Sequence, residues 1–409
     1  MKFEYDEALE RADALKKLCE AWAPEPETEV VSLAEAQGRY AATDLRALVT
    51  LPVKRSARMD GYAIHSETFA NGEPDASDWK EGVDYVRADT GDDFPDEYDA
   101  VISVESVEFN DHGGFSIVRH DMDVKPGEGV SQRGSLVTEG QLVVKANTRL
   151  TAELVAALAV AGYAQVSVIK PITVAYLPTG DELVPWGSYP ARGQNIEANS
   201  LLVSGMLREW GARCICYPIV VDDEKNLEAA LDRALEAADL VLINGGSSRG
   251  GADYNATMLQ RRASYFVHGV RAVPGRPVGM SMIDGTPVVN VPGPVNAAWL
   301  CMDWLVRGLV ACWFGAPVVA RPTVKARLAE DFAKPAKMER IARMGLTPDP
   351  EHPGELLCAP LPRSMGTPET ITKSDALLTL PIGVDKVEAG TEVEVELLRP
   401  MELIRADWA

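Results

Sequence analysis

The chain has 409 residues, 46% of them hydrophobic and 25% charged, and a formal net charge of −21. These values are typical of a globular protein of about two or three domains, and they exclude wholesale disorder. A chain this acidic repels phosphate backbones and anionic lipid surfaces. We therefore expect neither nucleic-acid binding nor membrane docking.

Neither of the two segments that could belong to a membrane protein has the right pattern. Residues 1–20 contain no apolar core of the kind that a signal peptide needs. The apolar segment 295–314 is interrupted by Asp303 and Arg307, four residues apart, which favours a buried amphipathic helix. We expect a protein of the cytoplasm.

The six cysteines contain no Cys-x-x-Cys pair. Cys214 and Cys216 are predicted to share one face of a strand, where they are too close for an ordinary disulfide and too few for zinc. Reduced, buried cysteines are the expected state, which agrees with a cytoplasmic location.

The first 170 residues contain helical segments and an acidic β-rich module. Residues 5–22 place apolar side chains at helical spacing. Residues 66–111 hold fifteen acidic and two basic residues, and turn residues separate their short apolar runs. This pattern indicates a small β-rich module with a very acidic surface. Residues 151–162 are predicted to form a helix with Thr151 as its N-cap.

From residue 171 the pattern alternates between strands and helices. Strands are predicted at 172–178, 239–245 and 287–291, with helices between and after them, one of which has Asn199 as its N-cap. This order indicates an α/β domain with a mainly parallel sheet, whose ligands bind at the carboxyl ends of the strands. Residues 318–409 contain short β-like runs typical of a small barrel or sandwich.

The glycine-rich loop at 245–251 lies at one of these strand ends. Its glycines allow backbone N–H groups to approach an anion, Ser247 and Ser248 add hydroxyl donors, and Arg249 adds a positive charge. The N-terminus of the following helix also favours a phosphate. A tight turn without a ligand is the alternative interpretation.

Two more strand ends carry charged residues. Arg271 and Arg276 flank a Pro-Gly turn and are candidate anion ligands, although both could be solvated surface residues. Asp181 and Glu182 follow the first strand, and carboxylates beside an anion site suit Mg²⁺. Asp222 lies at a helix start, where an N-cap role is the simplest interpretation. The residues alone thus indicate an α/β domain that binds a phosphorylated ligand with Mg²⁺, together with two accessory domains.

Seven motifs in one order resemble the MoeA/gephyrin E-domain family, the molybdopterin molybdenumtransferases. The resemblance covers nearly the whole chain. The motifs are SARMDGYAI (56–64), RADTGDDFPDEYDAVISVE (87–105), LPTGDEL (177–183), GQNIEANS (193–200), INGGSSRGGADY (243–254), VPGRP (273–277) and NVPGPVNAA (290–298).

The resemblance implies an activity and a set of site residues. Family members insert molybdate into adenylylated molybdopterin, release AMP and use Mg²⁺. They are elongated homodimers, with each cleft lying between the α/β domain of one subunit and the small β-rich domain of the other. The positions that match the family's polar site are Asp60, Thr90, Glu182, Asp222 and Asp253, of which Glu182 and Asp253 are the expected metal ligands.

The motifs also predict the residues that bind the pterin substrate. Gly245, Ser247 and Ser248 are expected on its phosphate side. The full binding set is Thr179, Gly180, Asp181, Gly245, Gly246, Ser247, Ser248, Arg249, Arg271, Pro274, Gly275, Arg276, Pro292 and Gly293. Other roles stay open, since Asp60-Gly61 and Thr90-Gly91 could be turns and Asp253 could cap the helix that it opens.

The resemblance and the pattern together predict an α/β multidomain fold. It has a molybdopterin-binding-like α/β domain with a mainly parallel sheet, a small β-rich domain, an elongated helical or linker domain and a C-terminal β-barrel-like domain. The expected boundaries are 1–47 with 148–170 for the linker domain, 48–147 for the acidic β-rich domain, 171–317 for the α/β domain and 318–409 for the C-terminal domain.

The chain also departs from the family pattern. The loop reads GGSSRG where GGVSVG is common, and Val273 and Arg276 stand where lysines are common around a PGKP motif. The segment Pro292–Asn296 is one residue short, and Ser135 replaces a common acidic residue. Tungstate in place of molybdate, or a non-catalytic molybdopterin-binding scaffold or carrier, therefore remain alternatives. A stand-alone adenylyltransferase is disfavoured, whereas an adenylyltransferase partner is compatible with the sequence.

Overall fold

The computed structural model describes residues 8–109, 115–119, 124–245, 254–333, 337–362 and 364–406. The chain forms two compact units. We call Thr28–Ile169 the insert unit, and Met1–Glu27 together with Lys170–Ala409 the main unit.

The insert unit follows helix α1 (Arg11–Trp22) of the main unit and consists mostly of short strands, with one α-helix described, α2 (Ala152–Val160). Its strands are β1 (Thr28–Ser32), β2 (Tyr40–Ala41), β3 (Leu45–Arg46), β4 (Ser56–Ala57), β5 (Gly61–Ile64), β6 (Tyr85–Ala88), β7 (Ala100–Ser103), β8 (Val107–Phe109), β9 (Phe115–Ile117), β10 (Val130–Ser131), β11 (Leu142–Val144) and β12 (Gln165–Ile169).

The acidic module is built around a three-stranded antiparallel sheet in the order β6-β5-β7. Buried side chains cover both faces of this sheet, with Ile64, Ile102 and Phe115 on one side and Ala63 and Val101 on the other. Because the apolar residues are packed inside, the many carboxylates of the segment remain at the surface. The structure thus confirms the small β-rich domain.

A second sheet of the insert unit, in the order β1-β12-β2, packs with helix α2. The helix begins as predicted, because the Thr151 hydroxyl accepts a hydrogen bond from the Leu154 N–H at 3.4 Å. Only Leu158 of this helix is fully buried, so most of its apolar surface faces solvent in the chain as described.

The main unit contains the remaining elements. Its strands are β13 (Thr173–Pro178), β14 (Leu183–Pro185), β15 (Asn195–Glu197), β16 (Arg213–Cys216), β17 (Leu240–Asn244), β18 (Tyr265–His268), β19 (Ala272–Val273), β20 (Gly279–Ile283), β21 (Thr286–Val291), β22 (Thr323–Leu328), β23 (Phe332–Ala333), β24 (Glu339–Pro348), β25 (Leu356–Pro360), β26 (Ala376–Leu380), β27 (Lys386–Val387) and β28 (Glu392–Leu397). Its helices after α1 are α3 (Asn199–Glu209), α4 (Glu224–Ala237), α5 (Tyr254–Arg262), α6 (Val295–Cys301), α7 (Arg307–Trp313), α8 (Thr367–Thr372) and α9 (Met401–Ala406), with a π-helical turn at Met302–Val306.

The α/β part has a six-stranded sheet in the order β16-β13-β17-β21-β20-β18. Strands β16, β13, β17 and β21 are parallel, as expected, whereas β18 and β20 run antiparallel to their neighbours. The β20–β21 hairpin was not predicted. Its turn is Asp284-Gly285, both with positive φ, and Asp-Gly is a strong signal for this kind of turn.

Helix α1 packs on this α/β part. The Leu15 side chain reaches Gly308 of α7, and the Trp22 ring stacks on Trp313 with centroids 5.7 Å apart. The sequence had grouped residues 1–47 with the linker domain, but the first 27 residues belong to the main unit.

The apolar helix of residues 295–313 is continuous through its π-helical turn. It is long and apolar enough to cross a membrane, but more than half of it is buried inside the protein. The Asp303 carboxylate within it forms a bidentate ion pair with Arg321 and lies 3.6 Å from Arg307. The helix is therefore part of the core, and its charged residues are paired.

The C-terminal region closes into a five-stranded barrel. Strands β24, β25, β22, β28 and β26 follow one another, and β26 pairs again with β24. Alternate residues, such as Met344, Leu346 and Val395, fill its interior. The structure confirms the barrel-like domain expected from the sequence.

Candidate functional site

An acidic edge lies where β13 ends. The turn at Thr179-Gly180 carries Asp181 and Glu182, and the Asp181 carboxylate accepts a hydrogen bond from the Asp222 N–H at 3.1 Å. The pKa of Asp222 is raised by burial and by repulsion from Asp181 and Glu182. Three carboxylates therefore face one another here, and their mutual repulsion is of the kind that a cation relieves.

Asp222 does not cap the following helix. Asp223 is the N-cap of α4, because its carboxylate accepts hydrogen bonds from the N–H groups of Lys225 and Asn226 at 3.0 and 3.1 Å. The simple capping interpretation of Asp222 is thus wrong by one residue. Its carboxylate remains available to the acidic edge.

Beside this edge is a polar pocket of about 470 Å³. It lies at the carboxyl ends of β13 and β17, where ligands of such sheets bind. Of the residues predicted to bind the pterin, Thr179, Gly245 and Gly293 line it, and Glu182 lines it as well.

Buried carboxamides form the floor of the pocket. The Asn244 amide donates to the carbonyl oxygens of Val291 and Pro292, at 3.2 and 2.9 Å, which joins the ends of β17 and β21. Asn199 donates to Asn244 Oδ1 at 2.9 Å and to the Gly293 carbonyl at 2.8 Å. Among the described residues, nothing donates to Asn199 Oδ1, which is buried at the pocket.

The prediction that Asn199 caps α3 is wrong, since the helix begins at Asn199 and Ala198 is the N-cap residue. The side chain instead joins the carboxamides of two strand ends. Glu197 carries out the capping contacts here, because its carboxylate accepts from the Ser200 N–H at 2.9 Å and from the Ser200 hydroxyl at 2.5 Å.

Tyr176 connects this helix start to the floor of the pocket. Its hydroxyl lies 3.1 Å from Glu197 Oε1 and 3.0 Å from Asn244 Oδ1. Burial, reinforced by the Glu197 charge, raises the pKa of Tyr176, so the phenol keeps its proton at neutral pH. The phenol has one proton, so its hydroxyl donates to one of these oxygens at a time and links the start of α3 to the floor of the pocket.

Two glycines shape the entrance. Gly245 has a φ of +107°, and a Cβ there would lie 2.6 Å from the Thr179 carbonyl oxygen. Gly180 has a φ of +146°, and a Cβ there would lie 2.7 Å from the Glu182 carboxylate. Both positions therefore require glycine, one to bring two strand ends together and one to let Glu182 fold over the turn.

The rest of the predicted phosphate loop, Gly246, Ser247, Ser248 and Arg249, lies outside the described residues, and so does Asp253. Their predicted roles stay predictions. Asn255 contacts two residues that line the pocket. Its amide donates to the Gly245 carbonyl at 3.0 Å and to Thr179 Oγ1 at 3.2 Å.

The Pro-Gly segment borders a different cavity. Arg271 donates to the Lys337 carbonyl at 3.3 Å and lies 3.9 Å from the Glu10 carboxylate, so its charge is directed away from the pocket just described. Gly275 follows Pro274 with a φ of +97°, and the Arg276 carbonyl accepts from Val270 N–H.

This second cavity measures about 240 Å³, and Pro274, Arg340 and Arg343 are among its lining residues. The Arg343 guanidinium stacks on the Trp299 ring at 4.4 Å. No described residue accepts a hydrogen bond from its buried Nε and Nη2 atoms. Burial lowers the pKa of Arg343 to about 10, so the side chain remains charged at neutral pH. A partly buried cation with two buried donor atoms that lack an acceptor is suited to an anion.

The insert unit brings Asp60 and Thr90 together. Asp60 Oδ1 accepts hydrogen bonds from both the N–H and the hydroxyl of Thr90, each at 2.8 Å. These two bonds, with a smaller contribution from Arg87, lower the pKa of Asp60, which is therefore ionised at neutral pH. Both side chains are exposed. The two residues therefore stabilise a turn, and the Asp60 carboxylate also presents a negative charge to solvent.

Sequence reasoning missed the carboxamides. Asn199 and Asn244 lie within motifs that were recognised and Asn255 directly follows one, and each stands at a strand end or a helix start. Asparagine at such positions is usually a cap or turn residue. The signal that could have found them is their position at the carboxyl ends of parallel strands, where polar side chains from several loops converge.

Comparison with known proteins covers most of the chain. Residues 3–162 match the MoeA N-terminal region (domains I and II), residues 175–311 a probable molybdopterin-binding domain, and residues 325–398 the MoeA C-terminal region (domain IV).

Relatives and solved structures agree with these matches. A molybdopterin molybdenumtransferase 2 of Mycobacterium tuberculosis is 27% identical to this chain, in an alignment that covers 89% of this chain and 94% of the relative. A molybdopterin molybdenumtransferase of Haemophilus influenzae is 28% identical and covers 78% of each chain. A crystal structure of the molybdopterin biosynthesis MoeA protein from Pyrococcus horikoshii aligns with 96% of this chain and 100% of its own, with a TM-score of 0.78 and 26% identity. With the three regions in this order along one chain, the protein belongs to the MoeA family.

Proposed function

We propose that this protein inserts molybdate into adenylylated molybdopterin with release of AMP, in a Mg²⁺-dependent reaction of molybdenum cofactor biosynthesis. The observation that carries the proposal is the polar pocket of the main unit, with carboxylates on one side and buried carboxamides below. The names of the relatives support the same reaction class.

Mg²⁺ would be held at the acidic edge. Asp181, Glu182 and Asp222 supply the oxygen donors that this ion prefers, and the repulsion that raises the pKa of Asp222 favours a cation beside it. Asp253 is the other predicted ligand. When bound, the ion neutralises phosphate charge during cleavage of the adenylyl bond.

The carboxamide floor would bind and orient the pterin. Asn199 presents an acceptor to the pocket, and Asn244 holds the two strand ends that form its base. Thr179, Gly180 and Gly293 contribute backbone near the same point, while the loop with Gly246, Ser247, Ser248 and Arg249 would bind the phosphate. These groups position the substrate, and no nucleophilic side chain is needed.

The second cavity would accept the oxyanion. Arg343 supplies buried donors, Arg340 a second guanidinium, and Pro274 an apolar wall. Molybdate and tungstate carry the same charge, so both are candidate substrates.

We expect Arg343→Ala to raise the KM for molybdate by roughly ten- to a hundredfold, because the oxyanion loses its hydrogen bonds with a charged donor. Binding of adenylylated molybdopterin should be unchanged. Steady-state AMP release against molybdate concentration measures the KM for molybdate, and pterin fluorescence measures the binding of adenylylated molybdopterin. Arg208→Ala, at the end of α3, is the control. An unchanged KM for molybdate would remove Arg343 from the oxyanion site.

The proposed function itself is tested by AMP release from adenylylated molybdopterin with Mg²⁺, with molybdate and tungstate in parallel. Release that requires one oxyanion supports the insertion reaction and identifies the metal. Tight pterin binding without release would instead support the carrier, and the short Pro292–Asn296 segment and Ser135 would then be the first positions to restore.

The protein is also proposed to act as a homodimer. An apolar surface on the insert unit includes Leu48 and Val160, which are 55% and 50% exposed. They are neighbours, because the Leu48 N–H donates to the Ala161 carbonyl at 2.8 Å. A self-complementary contact between two copies would bury this surface. A cytoplasmic location and docking of an adenylyltransferase are compatible with the same assignment.

The double variant Leu48→Asp/Val160→Asp should sediment as a monomer at micromolar concentration, where the wild-type protein sediments as a dimer. Formation of the dimer would take the introduced carboxylates out of water, which costs several kcal/mol per ion. Val83→Asp, at a 63% exposed position of the same unit, is the matched control. A wild-type protein that is itself monomeric would contradict the dimer.

A further inference from the structure

A pair of thiols lies at the edge of the main sheet, outside the machinery described above. Cys214 and Cys216 are on β16, two residues apart, and so share one face of the strand. Their Sγ atoms are 3.6 Å apart, which requires both side chains to turn toward each other. Two sulfur atoms that bind one metal ion at about 2.3 Å each lie at most roughly 4.6 Å apart, so thiols at the observed spacing can both reach the same ion.

The pair is accessible. Strand β16 is the edge strand of the six-stranded sheet, with β13 as its neighbour, and Cys216 is exposed while Cys214 is partly exposed. No disulfide joins them.

The two thiols are also chemically suited to a metal ion. Thiolate sulfur is a soft ligand, and soft ligands select ions of the Cu(I) type.

We propose that Cys214 and Cys216 form a chelating site for a soft monovalent d¹⁰ cation of the Cu(I) type. Among the described residues the pair offers two sulfur ligands and no third, which suits an ion that accepts low coordination numbers better than Zn²⁺, which needs four. Each thiol releases its proton to solvent as its sulfur–metal bond forms. No electron transfer takes place, so no oxidant is needed.

The site lies one strand from the polar pocket. Cys216 is paired in register with Tyr176, whose hydroxyl contacts Glu197 and Asn244 at the floor of that pocket. The metal site is nevertheless independent of the proposed reaction, and its test does not use turnover.

The test titrates the reduced full-length protein with Cu(I) under anaerobic conditions, against a colorimetric Cu(I) chelator. We expect one equivalent bound with two sulfur neighbours in X-ray absorption. Cys216→Ser should weaken binding by roughly 10²–10⁴-fold, since the chelate is lost. The control is Cys19→Ser/Cys312→Ser, which removes the other pair of thiols in hydrogen-bond contact.

Three outcomes would overturn the proposal. One is wild-type affinity in the double variant Cys214→Ser/Cys216→Ser. Another is loss of the bound ion in Cys19→Ser/Cys312→Ser instead. The third is retention of Zn²⁺ in preference to Cu(I), which would exclude the monovalent ion. Circular dichroism of each variant shows that the fold is retained, so that lost binding is not lost structure.

Discussion

Gly61→Ala should unfold the acidic module of the insert unit. Gly61 begins the central strand β5, and a Cβ there would overlap the Ile102 carbonyl oxygen and lie 2.9 Å from the Ile102 carbonyl carbon. These atoms belong to the backbone of the neighbouring strand, so no rotamer change relieves the overlap. We expect the free energy of unfolding to fall by roughly 3 kcal/mol or more.

Urea unfolding followed by tryptophan fluorescence measures this change. Trp79 is the only tryptophan between residues 28 and 169, and it packs on the same core. The control is Gly205→Ala in helix α3, where no atom lies within 4 Å of a new Cβ. It should be neutral or stabilise the helix by up to about 1 kcal/mol. A Gly61→Ala protein as stable as wild type would show that the strands can separate without cost.

Asp60→Ala should lower kcat/KM for AMP release by roughly 10²–10³-fold, which is typical of the loss of one positioned electrostatic group. The variant removes the charge and also frees the backbone N–H and hydroxyl of Thr90. Asp60→Asn separates these effects, because its amide oxygen can still accept from Thr90 while the charge is gone.

If the charge is what matters, Asp60→Asn is nearly as impaired as Asp60→Ala. If Asp60→Asn has wild-type rates, Asp60 only positions the Thr90 turn, and its proposed catalytic role is wrong. Asp75→Asn is the matched control, since Asp75 holds Ser77 by a similar pair of bonds in the same unit. Because its hydrogen bonds with Thr90 lower the pKa of Asp60, the group stays ionised and the wild-type rate should show no titration of it in the neutral pH range.

Much of the fold follows from local sequence signals. Thr151 caps its helix because a threonine before an apolar run has a hydroxyl in reach of the first free N–H groups. Asp303 and Arg307 identified a buried helix because two charges four residues apart pair on one side of it.

The residues that the sequence misplaced depend on tertiary contacts. Asn199 is of a residue type that often caps helices, but its side chain donates hydrogen bonds to Asn244 and Gly293 instead. These two residues come from strand ends that are distant in the sequence. Arg343 lies on a barrel strand, where it packs on Trp299, and its Nε and Nη2 atoms are buried without a hydrogen-bond partner among the described residues. Local pattern cannot reveal either contact, because both join segments far apart in the chain.

The chain leaves and re-enters the main unit at neighbouring points. Strand β1 pairs with β12 so that Thr28 lies opposite Ile169, and just before this pairing Lys170 donates its N–H to the Glu27 carbonyl at 2.9 Å and its ammonium group to the Glu27 carboxylate. Opposed residues of antiparallel strands lie only about 5 Å apart. The two ends of this 142-residue segment therefore lie close together. The segment can be exchanged between relatives, or replaced by a short peptide, without a change in the path of the chain through the main unit.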